Sequence, residues 1–243
     1  MDYSATANPT VDGQYVLGDE WGSSGSETFG TNGVWRDEWV LVSSDPLTVC
    51  ENILIETSDA TDDAGDYWQI CFDGNADGGA NPLADDYRVD ITGHGATATV
   101  QWYKGTGTAW ATTTAPAAAS FKYAESLSTS PKISAAHYII EMTIEKTSTD
   151  LPLGQRYALR IAYNDAHAGG NGLQAWPPAP AAVNVPDGWG YIDYTSGANP
   201  TPDVAPESLT IGLVLALSTV AVIGGSVLIR KKPLANLPKQ VAV

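Results

Sequence analysis

The sequence predicts an all-β antiparallel sandwich followed by one C-terminal transmembrane α-helix. Three observations carry this. Short runs of alternating apolar and polar residues, rich in Val, Ile, Thr, Trp and Tyr, recur between Gly, Asp, Asn and Pro turn signals. No segment ahead of residue 209 sustains a 3.6-residue apolar period. The stretch Leu209–Ile229 then runs 21 residues without a charge or a proline, the length that spans a bilayer core as a helix.

The clearest strands are Asn52–Ser58 (NILIETS) and Tyr67–Asp73 (YWQICFD). Trp68, Ile70 and Phe72 alternate with Gln69, Cys71 and Asp73, so one face of the second is apolar. Their proximity in sequence suggests a hairpin. Tyr87–Thr92 and Ala98–Lys104 follow, then His137–Lys146, with Ile140, Met142 and Ile144 on one face, and Gln155–Tyr163. Such spacing without intervening helices points to a sandwich. Ala111–Ala119 (ATTTAPAAA) is expected to be a loop, and the proline-rich Ala175–Val185 an extended surface segment. The expected organisation is a domain over residues 1–194, a Pro/Gly-rich linker over 195–208, the membrane helix over 209–229 and a basic tail over 230–243.

Arg230, Lys231 and Lys232 follow the apolar run directly. The positive-inside rule keeps them cytoplasmic and places the domain ahead of the helix outside the cell. The first 20 residues show neither a basic n-region nor an apolar h-region. Export of such a domain therefore leads to the expectation of a signal upstream of Met1. The chain has 12 Lys+Arg, of which those three and Lys239 follow the apolar run, and 28 Asp+Glu, none of which do. The domain thus carries a net charge of −20, which disfavours nucleic acid and favours cations.

The sharpest local signal for a ligand is Asp73-Gly-Asn75-Ala-Asp77-Gly-Gly. Oxygen ligands at alternate positions followed by glycine wrap a hard cation such as calcium. Ala84 stands where a closing Glu would complete the loop, and Asp85 and Asp86 are placed to substitute for it. The bland reading is a turn that binds nothing, since Asn and Asp favour turns anyway. A second run, Asp59 to Asp66, holds four aspartates and is expected to be a solvated turn in the first hairpin, or to share the same ion. Cys50 and Cys71 flank that hairpin, and an oxidising exterior would allow a disulfide. The alternative is two separate buried thiols.

Eight Trp and 11 Tyr suggest a saccharide platform, because aromatic faces stack on the apolar faces of sugar rings. The candidates are Trp102, Tyr103, Trp110 and Trp176, set against the ordinary role of Trp in a sandwich core, which is the expectation for Trp68. Catalytic signatures are lacking: there is no G-x-S-x-G, no H-E-x-x-H and no Cys-His pair in a recognisable setting. The chain is therefore read as a non-enzyme. His137 and Met142 fall on opposite faces of one strand, which disfavours an axial haem pair.

Val11-Asp-Gly13…Glu20-Trp21 and the run from Asp66 (DYWQICFDGNADGGANPLADDYRVDI) resemble family 9 carbohydrate-binding modules and the related DOMON-like sandwiches, over about residues 9–194. The resemblance implies a jelly-roll-like β-sandwich, structural calcium, and sugar or haem binding in various relatives. The paired clamp tryptophans of the sugar-binding members are not assigned to positions here. Pro206-Glu207-Ser208, the apolar span and Arg230-Lys-Lys232 resemble the PEF-CTERM and PGF-CTERM sorting signals of archaeal surface proteins. That likeness implies a sortase-like membrane enzyme as partner, with a permanent single-pass anchor as the alternative. The expected function is a non-enzymatic, calcium-stabilised surface module on the cell membrane that binds extracellular polysaccharide. The alternative is a structural cell-envelope protein without a small ligand.

Overall fold

The computed structural model describes residues 9–16, 20–21, 25–41, 49–178 and 181–193. The chain divides into two compact units, residues 1–205 and 206–243. The expected linker over 195–208, membrane helix and tail, with Pro206, Glu207, Arg230, Lys231 and Lys232, lie outside the described residues. Among the described residues no helix is long and apolar enough to cross a membrane.

The domain is two antiparallel sheets, and the chain crosses between them three times. It lays down β1 (Gly25–Phe29), β2 (Gly33–Leu41) and β3 (Val49–Glu56) in the first sheet. It crosses to the second for β4 (Tyr67–Asp73), β5 (Asp86–Thr92), β6 (Thr99–Gly105) and β7 (Trp110–Thr113). It returns for β8 (Phe121–Ser128) and β9 (His137–Glu145), then crosses again for β10 (Arg156–Asp165), β11 (Gly172–Trp176) and β12 (Gly190–Asp193). The first sheet has the order β1-β2-β3-β9-β8 and the second β11-β10-β4-β5-β6-β7. β11 and β12 share one edge of β10: β12 takes Arg156–Leu159 and β11 takes Ile161–Asp165. The six strands expected from alternation are present, β4 at its expected bounds and the others displaced by up to three residues. The stretch expected as a loop from Ala111 instead begins within β7.

One expectation fails and takes another with it. β3 and β4 are not a hairpin. β3 pairs with β2 and β9, whereas β4 pairs with β5 and β10. Along β3, Ile53 and Ile55 face the main core, so Cys50 points to the outer side of the first sheet. Along β4, Trp68, Ile70 and Phe72 face that same core, so Cys71 points to the outer side of the second. The two thiols face away from each other across both sheets, which pack about 10 Å apart. No disulfide joins them. Burial pushes the Cys71 thiol up to about 12, the state of an inert structural cysteine.

The inner faces supply a single core running from Phe29, Trp35 and Ile53 through Trp68, Val89 and Trp102 to Tyr157, Ile161 and Trp176. β3 is buried on both faces because the N-terminal segment covers its outer side, where Trp21, Leu54 and Ile139 pack together. The peg for that segment is Glu141 of β9. Its carboxylate accepts the backbone N–H of Asp12 and of Gly13 at 2.9 and 2.8 Å and the Trp21 indole N–H at 2.7 Å. Gly13 has φ of +77°, and a Cβ there would lie 2.5 Å from the Ser126 backbone nitrogen. Six of the eight tryptophans are buried, and Trp39 and Trp110 are half-buried. Trp176 has its ring centroid 4.7 Å from that of Trp35, and Trp102 packs edge-on to Phe121 at 4.8 Å.

One end of the interior is ionic. Asp37, Glu51 and Lys146 are buried together beside Tyr157. Burial pushes the Asp37 carboxyl up to about 7, and burial pulls Lys146 down to about 8. The group holds two acids and one base, so a proton on an acid relieves the excess negative charge.

Two predictions follow from this packing. The Asp37 proton is released near the ordinary aspartate value of 3.8 in the unfolded chain but at about 7 in the folded one. The native state therefore binds more protons between those values, and stability falls as pH rises through that window. The melting temperature of the parent should decline more steeply from pH 4 to pH 7 than that of Asp37→Asn; parallel curves would refute this. Separately, Trp176→Ala should cost about 3–5 kcal/mol in denaturant titration, the loss from emptying a core aromatic site. An unchanged midpoint would show that the ring is not a core element.

Candidate functional site

Three groups of side chains outside the core carry chemistry, and the two sheets position all of them. The first lies where β4 ends and β5 begins. β4 delivers Asp73, and the following loop folds back so that Asp85 and Asp86 arrive beside it. Each of the three offers an oxygen within 4.8 Å of the others. Asp73 Oδ1, Asp85 Oδ2 and Asp86 Oδ1 are shut off from solvent and have no hydrogen-bond donor. The second oxygens of Asp73 and Asp86 are committed: Asp73 Oδ2 accepts the Gly78 N–H at 2.9 Å, and Asp86 Oδ2 accepts the Leu83 N–H at 2.6 Å. Like charges at such separations repel by about 4 kcal/mol per pair at an effective dielectric near 20. Burial, with the neighbouring carboxylates, accordingly pushes Asp86 up to about 7 and raises Asp73 as well. Protons or a cation can satisfy this arrangement.

Of the five expected ligands, three converge. Asn75 Oδ1 accepts the Asp77 N–H at 2.8 Å, so that side chain is spent in shaping the turn. Asp77 acts on the cluster as a further negative charge. Asp187, far along the chain, holds this loop in place from outside the cluster. Its Oδ1 accepts the Gly79 N–H at 2.8 Å, and Gly78, at φ +68°, leaves the space it occupies.

The second group lies at the opposite end of β4 and β5. Asp59 and Asp66, expected in a solvated turn, are 2% and 0% exposed, because the turn is a crossing between sheets rather than a hairpin. β4 is seven residues long, about 20 Å at 3.3 Å per residue, so the two groups cannot share one ion. Here Asp59, Asp66 and His94 converge, as do Asp59, Asp165 and His167. His94 stacks on Tyr138 with ring centroids 3.6 Å apart. Its Nδ1 lies 2.8 Å from Glu125 Oε1 and its Nε2 3.1 Å from the Tyr163 hydroxyl. His94, Glu125, Asp165 and His167 carried no local motif. Only the strand order shows that residues following β5 and β10 and those preceding β4 meet at one end.

The third group is a polar row across the outer face of the second sheet. Arg160 Nη1 donates to Gln69 Oε1 at 2.8 Å, and Gln69 Nε2 donates to Asp90 Oδ1 at 3.1 Å. The Arg88 guanidinium grips Asp90 through two nitrogens and lies 4.4 Å from the Tyr103 ring centroid. Trp110 closes one side. It is parallel to Trp189 with centroids 6.3 Å apart, and its indole N–H donates to the Val183 carbonyl at 3.1 Å. Of the four expected sugar-stacking residues, Trp102 and Trp176 are each 2% exposed and offer no ring face to a ligand. Both sit on inward positions of strands, where the loop reading had placed Trp176 outside. Tyr103 and Trp110 remain half-buried on this outer face.

No family model matches the chain, and no curated protein does. Solved structures do. The chain is similar to a family 9 carbohydrate-binding module from Caldicellulosiruptor kristjanssonii in complex with glucose, with a TM-score of 0.52, 17% identity, and 79% of this chain and 94% of that one covered. The cellotriose complex of a family 9 module from the same organism aligns with a TM-score of 0.52 and 16% identity, over 79% and 91% of the two chains. At this identity the likeness establishes a shared all-β sandwich fold.

Proposed function

We propose that the domain is a non-enzymatic glycan-binding module, stiffened by calcium and held at the cell surface by the apolar run 209–229. The observation that carries the glycan reading is the row Gln69–Asp90–Arg88–Tyr103, bordered by Trp110. A sugar is recognised by a ring face together with planar polar groups that match its hydroxyls, and this face supplies both. The neighbours bound to glucose and cellotriose share the sandwich, which supports the same reading.

The burial of six tryptophans favours a second reading, a cell-envelope protein without a small ligand. A calorimetric titration with cello-oligosaccharides separates the two. Tyr103→Ala and Arg88→Ala are each expected to weaken binding by about 1–3 kcal/mol, the scale of one aromatic contact or one lost charged hydrogen bond. Silence from folded protein across a broad polysaccharide panel would favour the envelope reading. Binding that survives both substitutions would refute the site.

For calcium, the support is the set of three donorless carboxylate oxygens of Asp73, Asp85 and Asp86. Oxygen-only ligation suits this ion. Calcium at a hundredfold excess over its dissociation constant should stabilise the native state by about 2.7 kcal/mol. Differential scanning calorimetry should therefore show a higher melting temperature with calcium than with a calcium chelator, and Asp86→Asn should abolish most of the difference. Identical melting curves for the parent in the two buffers would eliminate the ion.

A further inference from the structure

The group at the crossing between β3 and β4 is independent of the proposed function, and its parts are unequal. Around Asp59 Oδ2 every atom is committed. The Tyr163 hydroxyl donates to it, His94 Nε2 lies 3.1 Å from that hydroxyl, and Glu125 Oε1 holds His94 Nδ1 at 2.8 Å. Asp66 is fixed by the N–H groups of Ala166 at 2.7 Å and Asp63 at 2.6 Å. This is a supporting shell: it locks the rotamer of Asp59 and leaves its other oxygen to act.

On the Oδ1 side the hydrogen-bond donors are fewer. Asp59 Oδ1 accepts the Thr61 N–H at 2.9 Å. Asp165 is 3% exposed; its Oδ2 accepts the Asn171 N–H at 2.9 Å, while its Oδ1 is shut off from water without a hydrogen bond. His167 Nδ1 is in the same condition. That nitrogen lies 2.6 Å from Asp165 Oδ1 and 3.6 Å from Asp59 Oδ1, and ligand atoms of all three residues fall within 4.8 Å of one another. The β10–β11 loop is built around this point. A Cβ on Gly170 would lie 2.0 Å from Asp165 Oδ1, so only glycine lets the loop close over the carboxylate.

We propose that Asp59, Asp165 and His167 bind a divalent transition-metal ion of the zinc class. An imidazole nitrogen with two carboxylates is a borderline donor set, which suits zinc or its neighbours rather than calcium or magnesium. Metal–ligand distances of about 2.0–2.2 Å place the donor atoms of a tetrahedral site about 3.3 Å apart. The 3.6 Å pair already meets this. The 2.6 Å pair must open by less than about 1 Å, a small rotation of His167, whose side chain is 31% exposed.

The test uses the full chain, purified in detergent without a polyhistidine tag, stripped of metal and titrated with zinc. One equivalent should bind. His167→Ala and Asp165→Asn should each weaken it about tenfold or more, while Asp86→Asn, at the other end of the domain, should leave it unchanged. Melting curves establish that each variant is folded. Cobalt gives a second reading that needs no variant: visible d–d bands of low-coordinate cobalt are expected on the parent chain. Failure of folded parent chain to take up zinc, a cobalt spectrum like that of the aqueous ion, or zinc affinity unchanged in His167→Ala would each overturn the proposal. So would affinity lost in Asp86→Asn instead, which would assign the metal to the other cluster.

Discussion

The structure depends on the crossing of the chain between sheets from Glu56 to Tyr67. Two strands that adjoin in sequence, β3 and β4, end up in different layers, so the ten residues between them must traverse the end of the sandwich instead of turning in solvent. A traversing segment cannot pair its backbone with a neighbouring strand, and buried N–H and C=O groups must find partners elsewhere. Here the partners are side chains and other loops. Asp59 and Asp66 accept N–H groups from Thr61, Asp63 and Ala166, and the Asp59 carbonyl accepts the Tyr138 N–H at 2.8 Å. The aspartates in this stretch are thus structural acceptors first. Their burial is a consequence of where the chain must go, and it draws His94, Tyr163 and Asp165 into the same place.

The strands were legible because each buries an alternating face. β4 could be read to the residue, since Trp68, Ile70 and Phe72 leave no other register. Which strand pairs with which was not legible. Alternation tells that a strand has a core face, not which sheet it belongs to, and nearness in sequence favoured the hairpin that does not form. The tryptophans show the same gap. Trp176 precedes two prolines and so resembles a loop residue, yet it occupies the last position of β11 opposite Ile161, inside the core. The N-terminal pattern Val11-Asp-Gly13…Glu20-Trp21 is tied down by one distant residue, since Gly13 and Trp21 both donate to Glu141 of β9.

The candidate sites divide along the same line. The loop from Asp73 to Asp86 is local, so its spacing announced the convergence of Asp73, Asp85 and Asp86. It did not announce that Asn75 would be spent on the turn, because Asx-turn formation and ion ligation draw on the same oxygen. The cluster at the other end is assembled from four separate loops and strands. None of His94, Glu125, Asp165 or His167 sits in a spacing that marks it, and only the three-dimensional strand order joins them.

The charge of the domain takes on a different meaning in this light. Read from composition, an excess of acid is a matter of the surface. Among the described residues ten acids are in fact buried: Asp37, Glu38, Glu51, Glu56, Asp59, Asp66, Asp73, Asp86, Glu141 and Asp165. A buried carboxylate needs a proton, a cation or several hydrogen-bond donors. Glu141 has three N–H donors, Glu56 has His137 at 3.1 Å and Asp37 has Lys146 nearby. Asp73 with Asp86 at one end of β4, and Asp165 beside His167 at the other, each keep a buried carboxylate oxygen with no hydrogen-bond donor. A sandwich ties its sheets by apolar contact in the middle and has little to tie its ends. Ions bound between loops from different strands, as proposed for both clusters, would supply that tie where the core cannot reach.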